Sequence, residues 1–223
     1  MATVDILSKT IGPWTFTERV VEVPFVYDSL PPPPARTLDV GCTGSLLLEC
    51  LAELGYEAYG IDPREVSETG HTYLGYPRYL NADAREIPFR DNFFDAVTCV
   101  SVIEHIGFSD NPYIEDEYEE DADILVMQEM VRVLKPGGVC LVTFAYGEMG
   151  ENAAHYRSWV REYNKERVDR MIPPEIDNFH PRYWVRSGEV APWEETTEEK
   201  AAVVANQNLI LSVLCFVARK RDG

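Results

Sequence analysis

Thr37-Leu-Asp-Val-Gly-Cys-Thr-Gly-Ser-Leu-Leu-Leu-Glu-Cys-Leu-Ala-Glu-Leu-Gly-Tyr-Glu-Ala-Tyr-Gly-Ile-Asp62 reads as a buried strand, a glycine turn, a helix and a second strand ending in a carboxylate. Gly41 and Gly44 let the backbone pass close to a ligand, and the helix that follows turns its N-terminal N–H groups toward the same point. Asp62 follows Gly44 by eighteen residues, near the spacing of about 20 at which an acidic side chain in such folds reaches ribose hydroxyls. The pattern is one half of a nucleotide-binding α/β sheet; it does not separate a dinucleotide from another adenosine ligand. Asp39 stands in an otherwise apolar strand, where a lone buried carboxylate is costly. Backbone N–H groups of the turn, or a cationic ligand, would satisfy it.

Outward from this stretch the pattern keeps alternating. Strands are predicted at 36–41, 56–61, 77–81, 93–100 and 139–145, with helices at 45–54 and 121–134 and a final buried strand over 209–218. Strand–helix alternation implies a parallel sheet covered on both faces. The helix at 121–134 carries Ile124, Leu125, Met127, Met130, Val131 and Leu134 on one face and stops at Lys135-Pro-Gly-Gly138. A further helix is expected over 156–171, from the apolar stripe Trp159, Val160, Tyr163, Val168 and Met171. Upstream, residues 1–34 read as an N-terminal helical lid followed by a polyproline spacer, Pro31 to Pro34. No Gly/Ser-rich linker divides the 223 residues, so 1–223 is expected to be a single domain.

Composition narrows the partners. Thirty-eight acidic residues against 20 basic give a formal charge of −18, which disfavours a nucleic-acid backbone or an anionic membrane surface. No basic-then-apolar leader and no long apolar run is present, so a cytoplasmic location is the expectation. The five cysteines, Cys42, Cys50, Cys99, Cys140 and Cys215, are widely spaced with no C-x-x-C pair and read as reduced core thiols. Cys42 differs by its place in the glycine turn, where a small side chain beside a ligand and a reactive thiol both fit. Between Asp110 and Asp123, eight of fourteen residues are acidic. This run, above the carboxyl edge of the sheet, reads as a solvated face, a carboxylate metal site, or a surface recognising an amine or sugar hydroxyls.

Five stretches, in this order and spacing, carry a family resemblance: Leu38-Asp-Val-Gly-Cys-Thr-Gly44, Gly60-Ile-Asp62, Asn81-Ala-Asp-Ala84, Phe94-Asp-Ala-Val97 with Ser101-Val-Ile-Glu-His-Ile106, and Arg132-Val-Leu-Lys-Pro-Gly-Gly138. The chain resembles the small class I S-adenosylmethionine-dependent methyltransferases of the type 11-like kind, over about residues 36 to 145. The resemblance implies a Rossmann-like sheet of seven mostly parallel strands, helices on both faces, and an antiparallel last strand. It implies S-adenosyl-L-methionine as cofactor and leaves a metal open. It places the turn around Asp39, Gly41, Cys42 and Gly44 under the methionine part and gives Asp62 the ribose. Asp83 would bond the adenine amine with the Ala84 N–H near the ring, and Ser101 and Val102 would line the cofactor below the acceptor. The turn here is shorter than the family's usual G-x-G-x-G-like pattern.

Direct methyl displacement mainly requires alignment of the acceptor and exclusion of water. A neutral hydroxyl acceptor must also lose its proton, so a histidine or carboxylate within reach is expected. His105, beside Glu104 past a strand end, is the first candidate, with His155 and His180 behind it; a structural histidine is the rival reading of His105. His71 and Tyr73 border the adenosine or decorate a loop. The aromatic region after residue 145 could stack on a sugar or flat ring or fill the core. A small-molecule acceptor, a sugar hydroxyl or other small metabolite, is therefore expected, with no nucleic acid or membrane partner. Two other readings stand beside it: a non-catalytic methyltransferase-like scaffold, suggested by the short turn, and an NAD-dependent oxidoreductase, opposed by the missing third glycine of G-x-G-x-x-G and the absence of a Tyr-x-x-x-Lys pair.

Overall fold

A computed structural model describes residues 4–13, 15–64, 78–108, 117–148, 159–206 and 209–223. The apolar run of the opening stretch forms β1 (Arg36–Val40), which lies parallel to β2 (Glu57–Asp62) on one side and to β4 (Phe94–Val100) on the other. Between β1 and β2 run a 3-10 turn, Cys42–Gly44, and α3 (Leu47–Glu53), after the N-terminal helices α1 (Val4–Ile11) and α2 (Arg19–Ser29). The short β3 (Tyr79–Asn81) extends the sheet beyond β2, and β5 (Leu134–Ala145), reached through α4 (Ala122–Val133), pairs parallel to β4. The chain then forms α5 (Lys165–Met171), β6 (Ile176–Val185), β7 (Glu194–Thr196), α6 (Glu198–Ala202) and β8 (Ser212–Lys220). The order is β3-β2-β1-β4-β5-β8-β6-β7, with β8, β6 and β7 joined by antiparallel pairings.

Period-two alternation in the central strands feeds two cores. Leu38, Val40, Val97, Cys99, Cys140 and Val142 point to one face, where Val126, Met127 and Met130 of α4 and Met171 of α5 cover them. Ala58, Ala96, Val139 and Leu141 point to the other, under Val23 and Val26 of α2 and Leu47, Leu48 and Leu51 of α3. Each fully buried aliphatic side chain contributes about 1.5–3 kcal/mol. All five cysteines are free and buried in these layers, as core thiols should be.

Three expectations need correction. Among the described residues the sheet has eight strands, not the seven the resemblance implies: the six strands expected from pattern are joined by β6, which holds Asn178 to Trp184, and by β7. Pro181 made that stretch look irregular; β7 pairs only with Tyr183–Val185, so Pro181 lies on an open edge, where its missing N–H breaks no ladder. The strand expected from 139 begins at Leu134, with Lys135 to Gly138 looped out where the register with β4 shifts between Phe94 and Ala96. The helix expected over 156–171 is Lys165–Met171 only: Asn164 caps it by accepting the Arg167 N–H at 2.9 Å. Trp159, Val160 and Tyr163 are buried, but in a connecting segment, and residues 149–158 lie outside the described residues.

Candidate functional site

Strand order reverses between β1 and β4, and in open α/β sheets ligands bind in the crevice at that point. A cavity of about 620 Å³ opens there. Gly41, just past β1, has φ +73, and a Cβ on it would lie 2.4 Å from a Val102 methyl. Only glycine fits both the left-handed backbone and the contact. Its N–H donates to the Ile61 carbonyl at 2.9 Å, fixing the turn to the end of β2. Asp39, Gly41, Asp62, Asp83, Ala84, Ser101, Val102 and His105 all line this one cavity. Cys42 does not: its side chain is fully buried against Gly60, where an added Cβ would meet Sγ at 2.6 Å. The thiol therefore packs behind the turn. Gly44 closes the 3-10 turn, and Ser45 after it reaches the cavity wall.

Asp62 is 2% exposed and fully engaged. Its Oδ1 accepts the Arg64 backbone N–H at 3.0 Å and Nε–H at 2.9 Å, and its Oδ2 accepts Thr43 Oγ1 at 2.6 Å and Arg64 Nη2 at 3.1 Å. Burial works against the charge, but the Arg64 fork and Thr43 prevail and hold its pKa below the ordinary value. Asp83 repeats the arrangement with Arg85, whose Nη2 and Nε reach Oδ2 at 2.5 and 3.0 Å, and its pKa is lowered in the same way. Asp39 lacks such a fork. Burial pushes it up to about 7, partly offset by Thr98 Oγ1 donating at 2.8 Å.

At the β4 end the N-terminal helices enter. Arg19 of α2 donates to the Val100 carbonyl at 2.9 Å, and Glu22, fully buried, accepts from Ser101 Oγ at 2.7 Å. Ser101 holds φ +49, an unusual value for a residue with a side chain. Burial raises the Glu22 pKa, with Arg19 opposing. Glu104, 3% exposed, also lines the cavity; burial raises it to about 8, with Glu22 adding to the rise. His105 stacks on Trp159 with centroids 5.0 Å apart, and its Nδ1 lies 3.2 Å from the Trp159 carbonyl, so that nitrogen carries the hydrogen. Burial lowers its pKa to about 4, leaving the ring neutral.

The other candidates separate from this group. His180 is exposed on β6, paired with Val217, and is not in the cavity wall. His155, His71 and Tyr73 lie outside the described residues. The described part of the acidic run is bound internally: Asp123 is fully buried and accepts from Arg167 at 2.5 and 3.0 Å, while Arg85 reaches Glu119 at 3.2 Å. Arg161 donates to the carbonyls of Glu120, Ile106 and Glu119, tying the run to the segment after β4. In this described part a buried clamp at Asp123 adjoins the exposed Glu117, Tyr118 and Glu120. Among the described residues no three His, Cys, Asp or Glu side chains could hold a metal ion. Of the aromatics after residue 145, Tyr146, Tyr163 and Tyr183 are core, and Trp159 is the described one that lines the cavity. Arg19, Glu22 and Glu104 were not among the expected site residues; Glu104 was read only as the neighbour of His105.

Residues 38–142, which hold the turn and every one of these strand ends up to β5, match the family described as methyltransferase domain. The matched stretch is a methyltransferase domain. A ubiquinone biosynthesis O-methyltransferase of Xanthomonas campestris pv. campestris is 27% identical over 173 residues, covering 74% of this chain and 63% of that protein. The chain thus spans less than two thirds of that relative's length. Among solved structures, a possible histamine N-methyltransferase of Thermotoga maritima superposes with a TM-score of 0.58 at 17% identity, over 97% of this chain and 92% of the other. A methyltransferase of Archaeoglobus fulgidus gives 0.60 at 15%, over 90% and 93%. At such identities the structures support the methyltransferase fold alone. Family and fold imply S-adenosylmethionine for the methyltransferase domain, and the residues suit it: a turn with no room for a Cβ, and ionised Asp62 and Asp83 at two adjacent strand ends of one cavity. No helix among the described residues is long and apolar enough to cross a membrane.

Proposed function

We propose that this domain methylates a hydroxyl of a small acceptor. The observation that carries the reading is Asp62: a buried, ionised carboxylate at the end of β2, in the same cavity as Gly41, Asp83 and the Ser101–Val102 segment. When bound, the cofactor would supply a methyl group activated by its positive sulfur. The chain's own residues do the rest. Asp62 accepts from the ribose hydroxyls, and Asp83 accepts from the adenine amine with the Ala84 N–H beside the ring. The turn from Asp39 through Gly41, Cys42 and Gly44 holds the methionine part by its backbone. Ser101 and Val102 lie under the reacting end, and Thr17 to Arg19 with Val160 and Ile210 exclude water from above. The relatives' name, O-methyltransferase, favours a hydroxyl. A sugar loses support because the aromatics proposed to stack on it are mostly core.

One observation favours a scaffold instead: Asp62 already has its hydrogen bonds made within the chain. Calorimetric titration with S-adenosylhomocysteine, with NAD as the comparison, decides. Binding that disappears in Asp62→Ala supports the cofactor assignment, and transfer of labelled methyl to catechol or to methyl glucoside then identifies the acceptor class. No binding returns the scaffold reading; binding of NAD alone would make the protein an oxidoreductase.

A further inference from the structure

The geometry points to Glu104 as the group that takes the proton from the acceptor hydroxyl, an assignment resting on the methyl-transfer reading above. Glu104 belongs to the 3-10 turn Ile103–His105 that follows β4, directly after the Ser101–Val102 segment. It is 3% exposed, lines the cavity, and its Oε2 has no hydrogen-bond partner among the described residues. A buried carboxyl oxygen without a partner is costly and uncommon, so one retained in a cavity wall calls for a ligand group that completes it.

The neighbouring candidates are already engaged. The His105 ring is held by the Trp159 carbonyl and stacked on its indole, with basicity far below that of an ordinary imidazole. Glu22 accepts from both Ser101 Oγ and Arg19. The Glu104 backbone is fixed as well, since its carbonyl accepts the Arg161 N–H at 2.8 Å. The carboxyl is therefore aligned by its turn and clamp and left with one oxygen to offer.

In the proposed step the acceptor oxygen forms a bond to the methyl carbon while the carbon–sulfur bond breaks and its electron pair goes to sulfur. The hydroxyl proton passes to Glu104 Oε2, which returns it to water after product leaves. The groups facing Glu104 are Glu18, Arg19 and Glu22 of the N-terminal segment, Cys99 on β4, His105 in its own turn, and Arg161 and Tyr163 beyond the fifth strand. Among these, Glu22 and Glu18 oppose ionisation and Arg19 favours it. The carboxylate form that can act as base accumulates as pH rises toward about 8, so the rate should climb over that range.

The test is methyl transfer to catechol and to methyl glucoside as a function of pH, in wild type, Glu104→Gln and Glu104→Asp, with S-adenosylhomocysteine affinity measured for each. The expected result is a kcat lower by about 100-fold or more in Glu104→Gln, with KM and cofactor affinity within about threefold and the rise with pH abolished. Glu104→Asp should restore part of kcat and keep a pH-dependent rate. A Glu104→Gln protein that keeps wild-type kcat and pH profile overturns the assignment. So does a wild type that binds S-adenosylhomocysteine yet methylates neither probe. Should Glu104→Gln not fold, the Asp variant decides, and a profile identical to wild type overturns the assignment. A wild type that does not bind S-adenosylhomocysteine is a separate result: it sinks the methyltransferase reading and the base assignment with it.

Discussion

At the β2 and β3 ends of the cavity, Asp62 and Asp83 each sit in the fork of an arginine two residues downstream, and both have lowered pKa values. At the β4 end, Glu22 and Glu104 are also buried, without a bidentate fork, and both are raised. Desolvation is the largest cause in all four, so the difference comes from the donors supplied against it. Charge at the first end suits a group that must hold hydroxyl and amine donors. A carboxyl poised near neutrality at the second suits a group that must gain and lose a proton.

The sharpest break is Asp62→Ala. Hydrogen bonds to a charged group are worth about 1.5–3 kcal/mol each, so losing two toward the ribose should weaken S-adenosylhomocysteine by about 100-fold or more. Asp83→Ala, at a side chain 43% exposed, should cost about tenfold. Calorimetry reads both, and equal affinity in Asp62→Ala and wild type would remove the cofactor half of the comparison. Gly41→Ala comes next, because Gly41 touches Val102 and so joins the two halves. Its φ of +73 and the 2.4 Å contact predict a loss of about 1–3 kcal/mol in denaturant unfolding, together with weaker cofactor binding. Wild-type stability in this variant would mean that the turn and the β4 end move independently.

The protonation contrast also has a signature in stability. Glu104 and Asp39 have folded pKa values of about 8 and about 7, above their unfolded values. Their contribution is complete below the unfolded pKa, near 4, and is lost as pH rises through 7 to 8. Asp62 and Asp83 act oppositely: their contribution is present above the unfolded value, near 3.8, and is lost as pH falls below it. Tm should therefore decline between about pH 5 and pH 8 and level off above it, and Glu104→Gln and Asp39→Asn should each flatten that decline. A wild-type Tm unchanged across the range would mean the buried carboxyls are solvated better than their burial implies.

How legible all this was in the sequence follows from the range of the interactions involved. The strand, glycine turn, helix and strand of residues 37–62 are local, governed by two hydrophobic periods and a backbone requirement at Gly41, and they emerge as read. Asp62 stands out by its distance from Gly44 and closes β2, whereas Asp83, two residues past β3, is marked only by the family resemblance; both line the cavity. The β6 strand was hidden by Pro181, whose exclusion from ladders does not apply on an open edge. The helix over 156–171 was read too long because buried Trp159, Val160 and Tyr163 share a spacing with it while packing as loop. The acceptor end was least visible. Glu22 meets Ser101 only because α2 crosses the β4 edge, and Glu104 becomes notable only once burial and its unpartnered oxygen are known. Neither property has a spacing.

The smallest expected effect is the most discriminating for the cofactor end. Asp62 accepts two Arg64 side-chain bonds that compete with any ribose hydroxyl for the same oxygens. If the fork is a placeholder that yields on binding, Arg64→Gln should tighten S-adenosylhomocysteine by a few-fold, about 0.5–1 kcal/mol for a partly exposed ion pair. The gain should be larger for S-adenosylmethionine, since the substitution also removes a positive charge facing a positive sulfonium. If the fork instead keeps Asp62 ionised and correctly turned while the ribose uses its remaining lone pairs, the same substitution should weaken both ligands alike. Raising the salt concentration separates the two cases further: screening should erode the difference between the ligands, but not a loss that comes from a misoriented carboxylate.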